Sequence, residues 1–214
     1  LSPTAPVYAE LLHHQTPTVL LGHRAPFCSQ FVNVETDDAT AGCIATRHLL
    51  GLGHKRIAFL GGPPAAPWSQ ERCDGYRRAL REARIEVEDN LIFTAGGRIE
   101  DGEKAALQML NESPQATAIF AVNDLVAIGA ANVLLRQGLR IPEDMSIVGF
   151  GNIMLSENFR VPLTTIRQPK YRLGVAAMES MLKLLRGERP EPKRLPAEIV
   201  IRASSAPPAS DHQP

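Results

Sequence analysis

A chain of 214 residues with 23 basic and 23 acidic side chains carries no net charge; 44% of it is hydrophobic and 21% charged. That balance excludes an electrostatic grip on nucleic acid by these residues themselves, because phosphate binding needs a basic excess. The length suits one large or two small domains with a sizeable core, and no run approaches the ~20 apolar residues of a bilayer span, so no membrane partner is expected.

Apolar runs and helix-period runs then alternate along the chain. Strands are predicted at 18–21, 31–34, 56–60, 91–94, 117–122, 146–150, 163–166 and 197–201. Helices are predicted at 40–52, 69–83, 100–110, 125–137 and 171–185, with Gly51 and Gly53, Gly138, and Gly187 with Pro190 as stop signals. Ser69 is a candidate cap for the second helix, and Asp124 suits the dipole at the start of the fourth. Alternation of this kind predicts a largely parallel sheet covered by helices on both faces. In the last helix, Leu173, Ala176, Ala177, Met181 and Leu184 form one stripe, which reads as core packing. The Ser/Pro/Ala-rich tail 204–214 is expected to be disordered.

Cys28, Cys43 and Cys73 are too few and too scattered for a disulfide framework or a zinc site; buried thiols in a reducing compartment are the expectation. His13, His14, His23, His48, His54 and His212 lack metal-ligand spacing, and hydrogen-bonding roles suffice for His48 and His54. There is no G-x-S-x-G, H-E-x-x-H or C-x-x-C, so nothing points to catalysis, to a cofactor or to a metal. The chain begins Leu1-Ser-Pro-Thr-Ala-Pro, without a Met or a signal-peptide pattern, and is expected to be a piece of something longer.

The binding candidates fall where predicted strands end, the place where open α/β sheets hold ligands. Asn123-Asp124 closes the strand 117–122; one of the pair caps the next helix and the other points into a cleft. Asp37 and Asp38 divide in the same way after the strand 31–34. Arg72 falls in the first turn of its predicted helix, where a cation is mildly disfavoured. Its fork fits a sugar hydroxyl pair or a carboxylate, and the competing reading is a salt bridge with Glu71 or Asp74. Trp68, the single Trp, either stacks on a flat ligand or packs in the core. Gly61-Gly62-Pro63-Pro64 lacks the phosphate-loop pattern, and its prolines remove the donors such a loop needs, so it reads as a turn.

Taken together, these segments resemble the effector-binding domain of the lac repressor/galactose repressor (LacI/GalR) family of transcription regulators. The resemblance is carried by Asp37-Asp38-Ala-Thr-Ala-Gly42, by His54-Lys-Arg-Ile-Ala-Phe-Leu-Gly-Gly62, and by Arg72-Cys-Asp-Gly75-Tyr76. It continues through 119–129, through Ile141-Pro-Glu-Asp-Met-Ser-Ile-Val-Gly-Phe150, and through Val161-Pro-Leu-Thr-Thr-Ile-Arg-Gln168. It implies an α/β fold of the periplasmic-binding-protein-like type I: two doubly wound parallel-sheet subdomains, a ligand cleft, and three chain crossings. Mapped here, 1–54 with 165–187 forms a partial N-terminal subdomain and 55–164 with 188–203 forms the C-terminal one. The helix-turn-helix headpiece and the first βα units of the family have no counterpart in this sequence.

The resemblance assigns ligand contacts to Asp37, Arg72, Asn123 and Asp124, places Trp68 in the pocket lining, and puts Lys170 where some members have an aromatic. Gly151 stands where the family usually has Asp, and Gly96-Gly97-Arg98 replaces an expected aromatic. Trp68 is therefore expected to supply a stacking face, with Arg98 or Lys170 favouring a carboxylate or phosphate. The implied protein is a cytoplasmic, homodimeric sensor of a small carbohydrate-like effector, and not an enzyme, which meets operator DNA only through the headpiece. A sugar-binding transport protein and an enzyme of doubly wound fold are the rivals.

Overall fold

In the computed structural model, which describes residues 6–22, 30–113 and 115–209, the chain divides into two units. His23, Cys28, His212 and the tail beyond residue 209 lie outside the described residues. Unit 1 comprises Leu1–Asp37 and Pro169–Ala197; unit 2 comprises Asp38–Gln168 and Glu198–Pro214. The chain therefore passes from one unit to the other three times.

Unit 2 is built on six strands: β3 (Ile57–Gly61), β4 (Ile92–Thr94), β5 (Ala118–Ala121), β6 (Ser146–Phe150), β7 (Thr164–Arg167) and β9 (Glu198–Val200). Their order is β4-β3-β5-β6-β7-β9, parallel throughout except for the antiparallel edge strand β9. Every residue of β3, β5 and β6 is buried. Continuous apolar runs are what central strands need when helices cover both faces of a sheet. Helices α2 (Asp38–Gly51) and α3 (Pro67–Glu82) pack as one pair, and α4 (Ile99–Glu112) and α5 (Asp124–Arg136) as another. From β3 the chain winds through α3 to β4 on one side, whereas from β5 it winds through α5 to β6 on the other. The topological switch therefore lies at the carboxyl ends of β3 and β5.

Two features lock this unit together. First, α2 and α3 approach closely at Gly42 and Gly75: a Cβ on Gly75 would overlap the Ala39 carbonyl, and one on Gly42 the Arg72 carbonyl. Second, the ring of Tyr76 stacks on Phe59 at 5.4 Å, Phe59 meets Phe120 at 5.2 Å, and the Tyr76 hydroxyl donates to Ile57 O at 2.8 Å. Burial pushes that phenol well above its ordinary pKa, which suits a neutral donor in an apolar core.

Unit 1 contains a parallel sheet β1-β2-β8, formed by β1 (Val19–Leu21), β2 (Val32–Thr36) and β8 (Lys193–Leu195), with α7 (Lys170–Leu185) against it. Val34, Leu173 and Ala176 form its apolar centre with Val19, Ala177 and Leu195. The short α1 (Val7–His13) contributes Tyr8 to a second cluster with Leu20 and Phe31.

Several expected boundaries need correction. Residues 38–54 belong to unit 2, because α2 packs on α3 through the paired glycines. Residues 165–168 also belong there, since β7 pairs with β6 and β9. Residues 188–197 fall in unit 1, where β8 pairs with β2 and Leu195 joins the apolar cluster. The start of the tail is ordered rather than disordered. Ser204 is buried, its carbonyl accepts from Ile147 N–H at 2.7 Å, and its hydroxyl donates to Ile147 O at 2.6 Å. Behind it, His54 meets Ala206 O at 2.8 Å and His48 meets the Ser205 hydroxyl at 2.9 Å. No described helix is long and apolar enough to cross a membrane.

Candidate functional site

At the switch point the chain leaves β3 as Gly61-Gly62 and enters α3 at Pro67, the position a helix tolerates best for proline. Ala66 is the cap residue; Ser69, expected to cap, instead accepts from Gly62 N–H at 2.9 Å. The helix thus begins two residues before the expected start. Trp68 lies inside its first turn, and Arg72 lies one turn further in, clear of the dipole argument. The Trp68 ring sits over Gly62, where a Cβ would come within 2.8 Å of it.

Arg72 is 7% exposed and held on several sides. Its Nε and Nη2 donate to Asp38 Oδ1 at 3.2 and 3.0 Å, and its Nη1 donates to Val122 O at 2.7 Å. The guanidinium carbon lies 3.5 Å from the centroid of the Phe150 ring and 5.0 Å from that of Trp68, both within cation–π range. Burial lowers the pKa of this group, and the Asp38 carboxylate acts in the opposite direction. Three of a guanidinium's five N–H groups are used in this way. The salt bridge considered from local sequence has a different partner: it runs to Asp38, on another helix, rather than to Glu71 or Asp74.

The junction after β5 resolves into two roles. Asn123 caps α5, accepting from Val126 N–H at 2.8 Å while its amide donates to Gly97 O at 3.1 Å. Asp124 is buried, and its carboxylate is taken up by the protein's own donors. Oδ2 accepts from Ile153 N–H and from the Ser156 hydroxyl, each at 2.9 Å, and Oδ1 accepts from the Thr165 hydroxyl. It therefore staples α5 to β7 and to the segment after β6, where α6 (Met154–Asn158) begins, and it does not point outward. Gly151 has φ +128, a backbone conformation that disfavours any side chain. That accounts for glycine at this place.

Of the six expected residues, Asp37 and Lys170 lie in unit 1, and Trp68, Arg72, Asn123 and Asp124 in unit 2. Asp37 N–H donates to Leu195 O at 3.0 Å, and Lys170 is exposed at the start of α7. Arg98 is exposed at the start of α4, where its N–H and that of Gly97 both donate to Asp101 at 3.0 Å. Phe150 and the Val122 carbonyl were not among the expected contacts. Phe150 could have been found, since it ends a predicted strand; a backbone carbonyl leaves no trace in side-chain identity. Among the described residues no cluster of His, Cys, Asp or Glu could hold a metal, and Cys43 and Cys73 are buried free thiols. An open groove of about 450 Å³ between α3 and β4 is lined by none of the six expected residues.

Comparison with known proteins gives matches over most of the chain. The family described as periplasmic binding protein-like domain matches residues 46–205. The HTH-type transcriptional repressor CytR of Escherichia coli K12 is 37% identical over 191 residues, which is 88% of this chain and 56% of that protein. The solved transcriptional regulator CelR–cellobiose complex matches with a TM-score of 0.88 at 31% identity, covering 94% of this chain and 62% of the other. A LacI family transcriptional regulator from Mycobacterium smegmatis reaches 0.86 at 33% identity, covering 94% and 74%. The chain spans little more than half the length of the curated relatives it matches.

Proposed function

The chain belongs to the periplasmic-binding-protein-like domain family, and from that premise we propose that it is the effector-sensing core of a LacI/GalR-type transcription regulator. Its relatives are repressors and regulators, which supports sensing over transport or turnover. The observation that carries the reading is Arg72: a buried guanidinium at the switch point of a doubly wound sheet, braced by Asp38, Val122 O and Phe150. A buried cation is costly to hold, and a hydrogen-bonding ligand offsets that cost.

The effector is a neutral, hydroxyl-rich molecule at the group that meets Arg72. Asp38 already balances the guanidinium, and the Asp124 carboxylate lies near enough to act on it. An anion placed there would meet a local charge that is already offset, so the carboxylate or phosphate expected from Arg98 and Lys170 is not favoured. The solved CelR relative carries cellobiose, a neutral sugar. Effector binding biases a two-state equilibrium and, through reciprocal coupling, operator affinity. Homodimerisation, operator binding by a headpiece outside this sequence, and a cytoplasmic location belong to the same reading.

Isothermal titration against matched pairs tests it: cellobiose with cellobionate, ribose with ribose 5-phosphate, and a nucleoside with its 5′-monophosphate. A neutral member should bind saturably, and Arg72→Ala should weaken that binding at least about tenfold, the ~1.4 kcal/mol expected of one charge-assisted hydrogen bond. Unchanged affinity in Arg72→Ala would overturn the site assignment.

A further inference from the structure

We infer that Arg202 and Asn152 are positioning residues of the Arg72 site, fixing from behind the turn that carries the aromatic ring under the guanidinium. The inference rests on the reading of Arg72 as an effector contact and extends it to a residue near the far end of the chain. Arg202 lies just past β9, with its side chain largely buried. Its Nη2 donates to Asn152 Oδ1 at 2.8 Å, its Nη1 to Leu163 O at 2.8 Å, and its backbone N–H to the Thr164 hydroxyl at 3.0 Å.

The turn it grips is strained. Gly151 has φ +128 and Asn152 φ +47, two consecutive residues in the left-handed half of conformational space. Asparagine is among the residues that tolerate this, but it persists there only when its surroundings hold it. The backbone of Gly151 is held, donating to Ile166 O at 2.7 Å. The Asn152 N–H makes only a long bond of 3.3 Å to the Thr165 hydroxyl, which itself donates to Asp124. The side-chain bond from Arg202 is therefore the main restraint on Asn152.

Both ends of the turn lead to Arg72. On one side stands Phe150, whose ring centroid is 3.5 Å from the guanidinium carbon. On the other, Ile153 N–H donates to Asp124, whose negative charge acts on Arg72. Releasing Asn152 loosens the turn that joins the ring to one of the three donors on the carboxylate, so both should shift while β6, Ser156 and Thr165 hold them near their places.

The protein contains its own reporter, because Trp68 is its only tryptophan and lies 5.0 Å from the Arg72 guanidinium carbon. The test is the indole N–H cross-peak of Trp68, with acrylamide quenching of its fluorescence, in the full chain and its variants without added ligand. Asn152→Gly removes the side chain at a φ that suits glycine, so it should fold; Arg202→Gln is its counterpart. In both, the cross-peak should move by more than a line width and quenching should increase, while Arg140→Ala, which breaks an exposed pair with Asp144, should leave both unchanged. A cross-peak that stays in place in Asn152→Gly, with an unaltered circular dichroism spectrum, overturns the inference. So does movement in Arg202→Gln alone, since Arg202 would then act through Leu163 O or its pair with Glu157 and not through Asn152. Because no effector is present, this outcome is separate from the titrations that decide whether Arg72 binds one.

Discussion

Asp38 and Arg72 form a buried ion pair, and taking away one partner leaves the other charged in a low-dielectric setting. Asp38→Asn should cost about 3–5 kcal/mol, the usual penalty for breaking such a pair, read as a fall in the urea midpoint. It should also turn ligand choice: with its counter-charge gone, Arg72 should gain affinity for the anionic member of each matched pair. A preference for the neutral member as strong as in the parent would remove charge balance as the basis of selectivity. Arg72 was singled out in the sequence partly by a supposed place at a helix start; α3 begins at Pro67, so that reason falls away, and its nearness to the end of β3 is what remains. Its partner was not legible, being 34 positions away on another helix, so that only the α2–α3 contact reveals it. The Asn123-Asp124 pair was half legible: adjacency showed that one would cap, but which one depends on the three donors that converge on Asp124.

The α2–α3 contact is an element-scale device, since backbone touching backbone at Gly42 and Gly75 is what sets Asp38 beside Arg72. Gly75→Ala must push Ala39 away and should destabilise the protein by about 1–3 kcal/mol, as overpacking does. A thermal midpoint within error of the parent would show that the helices separate without penalty. Legibility varied with element type. The central strands β3, β5 and β6 were plain from their apolar runs, and the inward stripe of α7 from its period. Lys193–Leu195 was missed because a charged edge strand carries no hydrophobic signature: its place is set by pairing with β2 and by Arg194 meeting Glu35 at 2.8 Å. The helices α1 and α6 were missed because each is too short for a period to register.

At the scale of the whole molecule, unit 2 depends on a strap made of the last described residues. Burial lowers the proton affinity of His54 and of His48, the two imidazoles that hold Ala206 and Ser205. Each therefore binds protons more weakly in the folded state than in the unfolded chain. The stability this confers is complete above the unfolded value of about 6.5 and is lost as pH falls through the folded values. Between pH 7.5 and 5.5 the urea midpoint should drop and amide exchange at 204–206 should quicken. A His48→Gln/His54→Gln protein that loses as much stability over that interval as the parent would dismiss the imidazoles as the cause. The subdomain division was only partly legible, since the sequence shows strands and helices but not which sheet a polar strand such as β8 joins.

The three passages between units have a consequence for biosynthesis. β9 and the strap at 202–206 complete the sheet and floor of unit 2, yet α7 and β8 of unit 1 must leave the ribosome before them. Until then Ser146 and Thr164 lack the partners that Ala206 and Ser204 bring, His54 lacks Ala206 O, and the edge of β7 is open. Domains ordinarily mature in the order they are made. Here the two units finish almost together, so vectorial synthesis cannot deliver a completed unit 2 early, and its assembly is tied to the final residues of the strap.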